Sequence, residues 1–430
     1  MAKMINTDLI KSVIYLQRRI IKKQKIIPRD YFFEPNDNYV LVGMRRAGKT
    51  TIMHKLARDL VEKGADWNQI IYVNFEDERL NEMKLSDLDT IVAAASEMTD
   101  KQPYFFFDEI QNIDGWERFA RRLADQGERV YITGSNSKMM SSEIISRLGG
   151  RYMMKYVTPY NFTEYLTAKN IQHDEEAMLT TQMRAKIVQG CQSYLENGGL
   201  PDSLNQIVPR NYLTNIYQNI FLGDIVTRNS VRNVESLRLL ISKIAETVMH
   251  EVSYSRLATS VKQTQNPIST QIAIKYINYA KEAYLLFDIK NYASKFAERE
   301  STPKFYFLDN GILNLFLFQK DPVLLENMVA ITLYNKYKED MYYLHSAKNK
   351  IDLDFYLPSV KTAVQVAWEL DDFSKEREIA ALTTLAQKDK KIDHFEIITW
   401  NQEETIEANE IQIQVKPLYK FLLAAEKHNY

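Results

Sequence analysis

The octapeptide Gly43-Met44-Arg45-Arg46-Ala47-Gly48-Lys49-Thr50 fits G-x-x-x-x-G-K-[ST], and its flanks restrict what it can be. Tyr39-Val40-Leu41-Val42 before it reads as a short apolar strand, and Thr51-Ile52-Met53-His54-Lys55-Leu56-Ala57 after it as the start of a helix. A strand, a glycine loop and a helix in that order aim backbone N–H groups and the positive end of a helix dipole at one anion. Lys49 then neutralises the β- and γ-phosphates of a nucleotide, and the Thr50 hydroxyl is a ligand for Mg²⁺. The candidate contacts are Gly43, Met44, Arg45, Arg46, Ala47, Gly48, Lys49, Thr50 and the first helical residue, Thr51. The plain alternative is a glycine turn joining strand to helix.

Several function classes are disfavoured by composition. A chain of 430 residues is too long for one core, so two to four domains are expected. A formal net charge of −1 supplies no global attraction to nucleic acid or membrane, and leaves room only for a local basic patch. No apolar run approaches the ~18 residues of a membrane span, and Met1-Ala2-Lys3-Met4-Ile5-Asn6 does not read as a signal peptide. Cys191 is the only cysteine, which rules out an internal disulfide or a cysteine zinc site. The six histidines form no pair at metal-ligand spacing. A reducing cytoplasm is the expected location.

More apolar strands follow the loop. Residues 8 to 25 come first in the chain and carry Ile10, Val13, Ile14, Ile20 and Ile21 near helical spacing, with Arg18, Arg19, Lys22, Lys23 and Lys25 between them. That helix is either a basic arm for a partner or an ordinary packing helix with a solvated face. Gln69 to Phe75 reads as a strand, and Tyr104-Phe105-Phe106-Phe107 as another, closed by Asp108-Glu109. An apolar strand ending in two acids downstream of such a loop is the Walker B pattern. Asp108 holds Mg²⁺ in that reading, and Glu109 orients or deprotonates the attacking water. Arg129 to Thr133 is a further strand, with Gly134-Ser135-Asn136-Ser137 at its C-terminal end, where open parallel sheets bind ligands. Ser135 or Asn136 is a γ-phosphate sensor candidate, or else an N-cap for the next helix. Arg147 and Arg151 flank Gly149-Gly150 before the strand Tyr152 to Val157. Either arginine is a candidate to stabilise γ-phosphate charge, in cis or from a neighbouring subunit, or is simply a solvated turn residue.

These segments together resemble the prokaryotic AAA-family ATPases that carry a C-terminal domain of unknown function. The resemblance rests on Gly43 to Thr50, Phe107-Asp108-Glu109-Ile110-Gln111, Thr133-Gly134-Ser135-Asn136, Arg147 to Arg151 and Thr158-Pro159-Tyr160-Asn161-Phe162. Later, Gly198-Gly199-Leu200-Pro201 and Asp224-Ile225-Val226-Thr227-Arg228 resemble that family's Gly-Gly-Phe-Pro and Asp-Ile-x-x-Arg stretches. The resemblance implies a three-layer α/β sandwich in which the sensor strand lies between the Walker A and Walker B strands.

Beyond the first domain, residues 177 to 230 read mostly as helix, a lid or connector. Helices over 235–249, Ser253 to Val261 and Ser269 to Glu282 precede two strands, Ala283 to Asp288 and Lys304 to Leu308. That order suggests a winged helix, whose third helix is able to enter a DNA major groove. Residues 231 to 310 hold eleven Lys and Arg against eight Asp and Glu, less basic excess than phosphate tracking usually needs. A protein-contact role is the competing reading. At the far end, a helix carrying Glu326, then Tyr342 to His345, Ile351 to Tyr356 with Asp352 and Asp354, and Ala363 to Ala367 resemble a restriction-endonuclease-like fold. Its third element reads Gln365-Val366-Ala367 where Glu-x-Lys is required. Gln365 lacks the charge of a metal ligand and Ala367 has no ammonium, so the resemblance implies a disabled site.

The fold class expected is α/β: a three-layer P-loop AAA-type ATPase domain over 1–165, a helical lid or connector over 166–230, a winged helix over 231–310 and a degenerate restriction-endonuclease-like domain over 311–430. The implied cofactors are ATP and Mg²⁺. The implied partner is a protein or nucleic acid held by the C-terminal half, with homo-oligomers possible and no membrane involved.

Overall fold

The computed structural model describes residues 5–135, 139, 142–264, 267–349, 351–389 and 391–426. The chain divides into two compact units, Met1–Thr158 and Pro159–Tyr430.

In the first unit, strands β1 (Asn38–Val42), β2 (Ile70–Asn74), β3 (Tyr104–Asp108), β4 (Arg129–Gly134) and β5 (Tyr152–Tyr156) form one parallel sheet in the order β2-β3-β4-β1-β5. Burial on both faces explains why these strands read as nearly continuous apolar runs without alternation. All of β1 is buried. Register places Tyr72 beside Phe106, Phe106 beside Tyr131 and Tyr131 beside Tyr39. Their rings stack in a row across four strands, with centroids 5.8, 4.8 and 6.3 Å apart. The sensor strand β4 lies between β1 and β3, as the family resemblance implies.

The amphipathic helix Thr7–Lys23 packs rather than projects. It buries Ile10, Val13, Ile14 and Ile21, and its Arg18 turns inward to donate to the carbonyl of Ile70 at 3.0 and 3.1 Å. Of the two readings of this segment, the packing one describes its apolar face, while Lys22 and Lys23 stay exposed.

The second unit begins at Pro159, seven residues before the boundary expected at 165/166, and holds the three later segments together. The expected lid or connector is helical and packed into this unit: helix Thr181–Asn197 lies against Asp321–Tyr337 and Leu418–Glu426. Helices Val234–Glu246, Tyr254–Lys262 and Thr270–Glu282 pack on one another, each opening on an Asn or Ser whose side chain caps an N–H. They lead into the antiparallel pair β6 (Leu286–Asn291) and β7 (Lys304–Phe307). This hairpin is not the free wing that a boundary at 310 implies. Its β6 pairs in parallel with β8 (Tyr342–Ser346), at Lys290 with Tyr342 and Asn291 with Tyr343. An eight-stranded mixed sheet results, completed by β9 (Ile351–Leu357), β10 (Thr362–Val366), β11 (His394–Thr399), β12 (Glu404–Ala408) and β13 (Ile411–Pro417). Helix Asp372–Lys388 covers it, with Leu382 and Leu385 in one core with Leu353, Ile397 and Val415. Among the described residues, no helix is long and apolar enough to cross a membrane.

Candidate functional site

The phosphate loop is built by close backbone approach and left-handed residues. Gly43 lies where the chain after β5 passes: a Cβ there would stand 2.1 Å from the carbonyl oxygen of Val157. Gly48 has φ of 101° and Arg46 of 65°, so the backbone folds back on itself and turns its amides inward. Arg29, which sequence reasoning passed over, braces the loop from behind by donating to Ala47 O at 2.8 Å and Thr158 O at 2.9 Å.

Helix Lys49–Glu62 starts directly from this loop. The Lys49 ammonium is buried and donates to the carbonyls of Gly43 and Met44, each at 3.0 Å, which curls it back over the loop. Thr50 donates to Asp108 at 2.9 Å, whereas the Thr51 hydroxyl accepts from Gln24 at 3.3 Å. Of the loop's arginines, Arg45 stands 3.6 Å from Glu76, and Arg46 is exposed.

Asp108 is the electrostatic centre of the site. It is fully buried and takes hydroxyl donors from Thr50, from Tyr72 at 2.9 Å and from Thr133. Burial, reinforced by the neighbouring Glu109 charge, pushes its carboxyl up to about 6, against the pull of those three hydroxyls. Tyr72 and Thr133 were read only as strand residues, because each reaches Asp108 across the sheet and not along the chain. Glu109 adopts φ of 55°, a strained conformation for a non-glycine residue, and its N–H donates to Thr133 Oγ1 at 2.9 Å. Gln111 donates its amide to Glu109 Oε2, and its own Oε1 is buried without a partner among the described residues.

At the end of β4, Ser135 is buried and its Oγ has no hydrogen-bond partner among the described residues. A buried hydroxyl left unsatisfied at the end of this strand has room in its hydrogen bonding for a water or a ligand oxygen. Asn136, the other sensor candidate, lies outside the described residues.

The arginine candidates are engaged elsewhere. Arg147 pairs with the buried Glu117 and with Glu143, the latter at 2.6 Å. Arg151 pairs with Asp125 and donates to Gly149 O at 2.6 Å. Register sets Tyr152 beside Asn38, the first residue of β1, so Arg151 lies at the edge of the sheet opposite the loop. Five residues of strand separate the two edges, roughly 16 Å. Arg151 therefore does not reach the phosphate site of its own chain, which removes the cis alternative for this residue.

A second cluster forms in the other unit. Glu326 on helix Asp321–Tyr337, Asp352 and Asp354 on β9 and Gln365 on β10 meet at one cleft of about 880 Å³. The segments expected to build a nuclease-type site thus converge. Two residues in it were not foreseen: Lys304 of β7 and Glu378 of helix Asp372–Lys388. Lys304 is buried, 3.2 Å from Asp354 and 3.7 Å from Glu326. Burial alone would lower its pKa, but the charges of Glu326 and Asp354 outweigh that and hold it above the ordinary lysine value.

A phosphate loop after β1, a buried acid ending β3 and a sensor strand between them define the P-loop ATPase fold of the AAA type. Residues 35–166 match the family described as AAA domain, and residues 189–322 match Domain of unknown function (DUF8612). The chain belongs to the family of the uncharacterized protein MJ1544 of Methanocaldococcus jannaschii, to which it is 32% identical over 96% of this chain and 95% of that protein. An uncharacterized protein of Haemophilus influenzae is 26% identical over 84% of this chain and 90% of its own length. Among solved structures, the Walker-type ATPase PABY2304 of Pyrococcus abyssi is similar with a TM-score of 0.43 at 12% identity, covering 69% of this chain and 99% of that one.

Proposed function

We propose that this protein is a cytoplasmic, Mg²⁺-dependent ATPase whose nucleotide state switches the partner-binding state of residues 159–430. The observation that carries the reading is the hydrogen bond from Thr50 to Asp108, together with the buried Ser135 Oγ directly after β4, which has no partner among the described residues. Together they supply one hydroxyl and one carboxylate of the right chemistry for Mg²⁺, and a hydroxyl donor at the strand end where parallel sheets bind ligands.

In this scheme Thr50 and Asp108 hold Mg²⁺, which when bound neutralises phosphate charge. Lys49 exchanges the carbonyls of Gly43 and Met44 for phosphate oxygens. Glu109 orients the attacking water and accepts its proton, with the Gln111 amide fixing the carboxylate. Ser135 donates to the γ-phosphate and loses that partner on hydrolysis, so only γ-phosphate contacts distinguish the two states. Arg151 acts across a subunit boundary in a homo-oligomer, and Arg147 acts there or within its own chain. The winged-helix order of elements in 234–307 suits a protein or nucleic-acid contact as the output.

ATP turnover of the purified chain, compared with that of Glu109→Gln and Lys49→Ala, tests the reading. Turnover abolished in both variants, with ATP binding kept only by Glu109→Gln, supports it. Turnover unaffected by either change refutes it.

A further inference from the structure

The restriction-endonuclease-like resemblance of the C-terminal segments implies a divalent metal among Glu326, Asp354 and the β10 residue at 365. The side chains present do not fit one. Among the described residues, no group of three or more His, Cys, Asp and Glu is placed to hold a metal ion. The reason is visible in the cleft itself. The Lys304 ammonium lies between Asp354 Oδ1, at 3.2 Å, and Glu326 Oε1, at 3.7 Å, with the Tyr343 ring on a further side, its centroid 5.6 Å away.

Further donors from within the chain reach these same carboxylates. Glu326 Oε1 takes the Tyr306 hydroxyl at 2.8 Å, and Asp354 Oδ2 takes the Val366 N–H at 3.0 Å. Gln365 accepts from the Asp354 N–H at 3.1 Å and donates to Glu378 at 2.6 Å. Glu378 in turn is capped by Arg377, from its Nε at 3.0 Å. The backbone beside Lys304 is pinned, with Lys304 bridged to Glu251 and Val252 N–H donating to Pro303 O at 3.0 Å. Lys304 is only 5% exposed on a strand fixed in this way.

We infer that Lys304 occupies the place of the divalent cation, so that the cleft is neutralised by its own lysine and takes up no metal. Two carboxylates facing each other in a buried site repel, and an ammonium between them relieves that repulsion as a point charge. A metal entering beside it would meet strong repulsion from the ammonium, and would find Gln365 as a neutral amide already committed to Asp354 N–H, Glu378 and the Asp352 carbonyl. Gln365 and Ala367 alone leave open a weak metal site. Lys304 closes it.

The test uses the full chain without nucleotide, in an Asp108→Asn background that disables the metal position of the ATPase site. Free Mn²⁺ is measured by electron paramagnetic resonance, and the thermal midpoint is followed with and without Mn²⁺. The parent is expected to bind no Mn²⁺ that Asp354→Asn removes. Lys304→Ala is expected to gain one equivalent of bound Mn²⁺, at least ~10-fold tighter than any residual non-specific binding by the parent, on the scale by which a single neighbouring group tunes metal affinity. That binding should disappear when Glu326→Gln is added. Mn²⁺ binding by the parent that is lost with Asp354→Asn overturns the inference. So does a folded Lys304→Ala that binds none. Should Lys304→Ala not fold, Lys304→Met keeps the stem and removes the charge, and the parent measurement stands independently of both.

Discussion

The Thr50 hydroxyl donates to the Asp108 carboxylate at 2.9 Å, joining residues 58 positions apart. The start of the helix after β1 thereby reaches the end of β3, past the end of β4, whose Thr133 donates to the same carboxylate. Three hydroxyls converge on one buried acid, so its position is settled before any ligand arrives.

Lys49→Ala is expected to lose ATP binding while the protein stays folded. The loop is shaped by Gly43, Arg46 and Gly48, and the two carbonyls left behind by the ammonium change stability by no more than ~2 kcal/mol. Calorimetry of ATP binding together with a melting curve reads both effects. Wild-type affinity in this variant would remove the phosphate-loop assignment.

Glu109→Gln is expected to bind ATP but to turn it over at least ~100-fold more slowly, the usual loss when a general base is removed. Asp108→Asn should instead weaken Mg²⁺-dependent binding itself. Single-turnover rates beside binding isotherms separate the two, and identical behaviour of the variants would contradict the division of labour between the paired acids.

Arg151 is held at the far edge of its own sheet by Asp125, so any catalytic effect requires a second subunit. Specific activity is then expected to rise with protein concentration, and Arg147→Ala or Arg151→Ala to reduce turnover with little change in ATP affinity. A trans arginine contributes up to roughly 10³–10⁵ in rate. Activity independent of concentration in a monomer by light scattering leaves Arg151 as a structural ion pair, and Arg147 as one or as acting in cis.

Asp309 is fully buried, accepts N–H groups from Gly199 at 2.9 Å and Ile312 at 3.1 Å, and is pushed up to about 6 mainly by burial. The folded state therefore binds the proton more tightly than the unfolded state. Its contribution to stability is complete below the unfolded value of 3.8 and is lost as pH rises through about 6. The loss amounts to at most about 3 kcal/mol. Urea unfolding at pH 4.5, 6 and 7.5 should show this fall in the wild type and a flatter profile in Asp309→Asn. Parallel profiles would show that Asp309 does not titrate in this window.

No cleavage is expected when plasmid, linear DNA, single-stranded DNA or RNA is incubated with the purified chain in Mg²⁺ or Mn²⁺, with or without ATP. Lys304, Gln365 and Ala367 together leave neither a metal nor a means of activating water in the cleft. Cleavage abolished by Asp354→Ala would restore a nuclease function.

The sequence by itself determined whatever is local along the chain. The phosphate loop was legible because Gly43, Gly48, Lys49 and Thr50 act through contiguous backbone. The strands were legible because a parallel sheet buried on both faces demands unbroken apolar runs such as Tyr104 to Phe107. The loss at Gln365 and Ala367 was legible because charge is a property of residue type. Tertiary structure alone decided the rest. Tyr72 and Thr133 reach Asp108 across strands, where register and not spacing sets neighbours. Arg151 was assigned a direction only when the pairing of β5 with β1 put it at the wrong edge. Lys304, 50 residues from Asp354 and 22 from Glu326, became a counter-cation because β6 joined the hairpin to the C-terminal sheet. A buried charge needs a partner within a few ångströms, and only the folded chain determines which distant residue stands there.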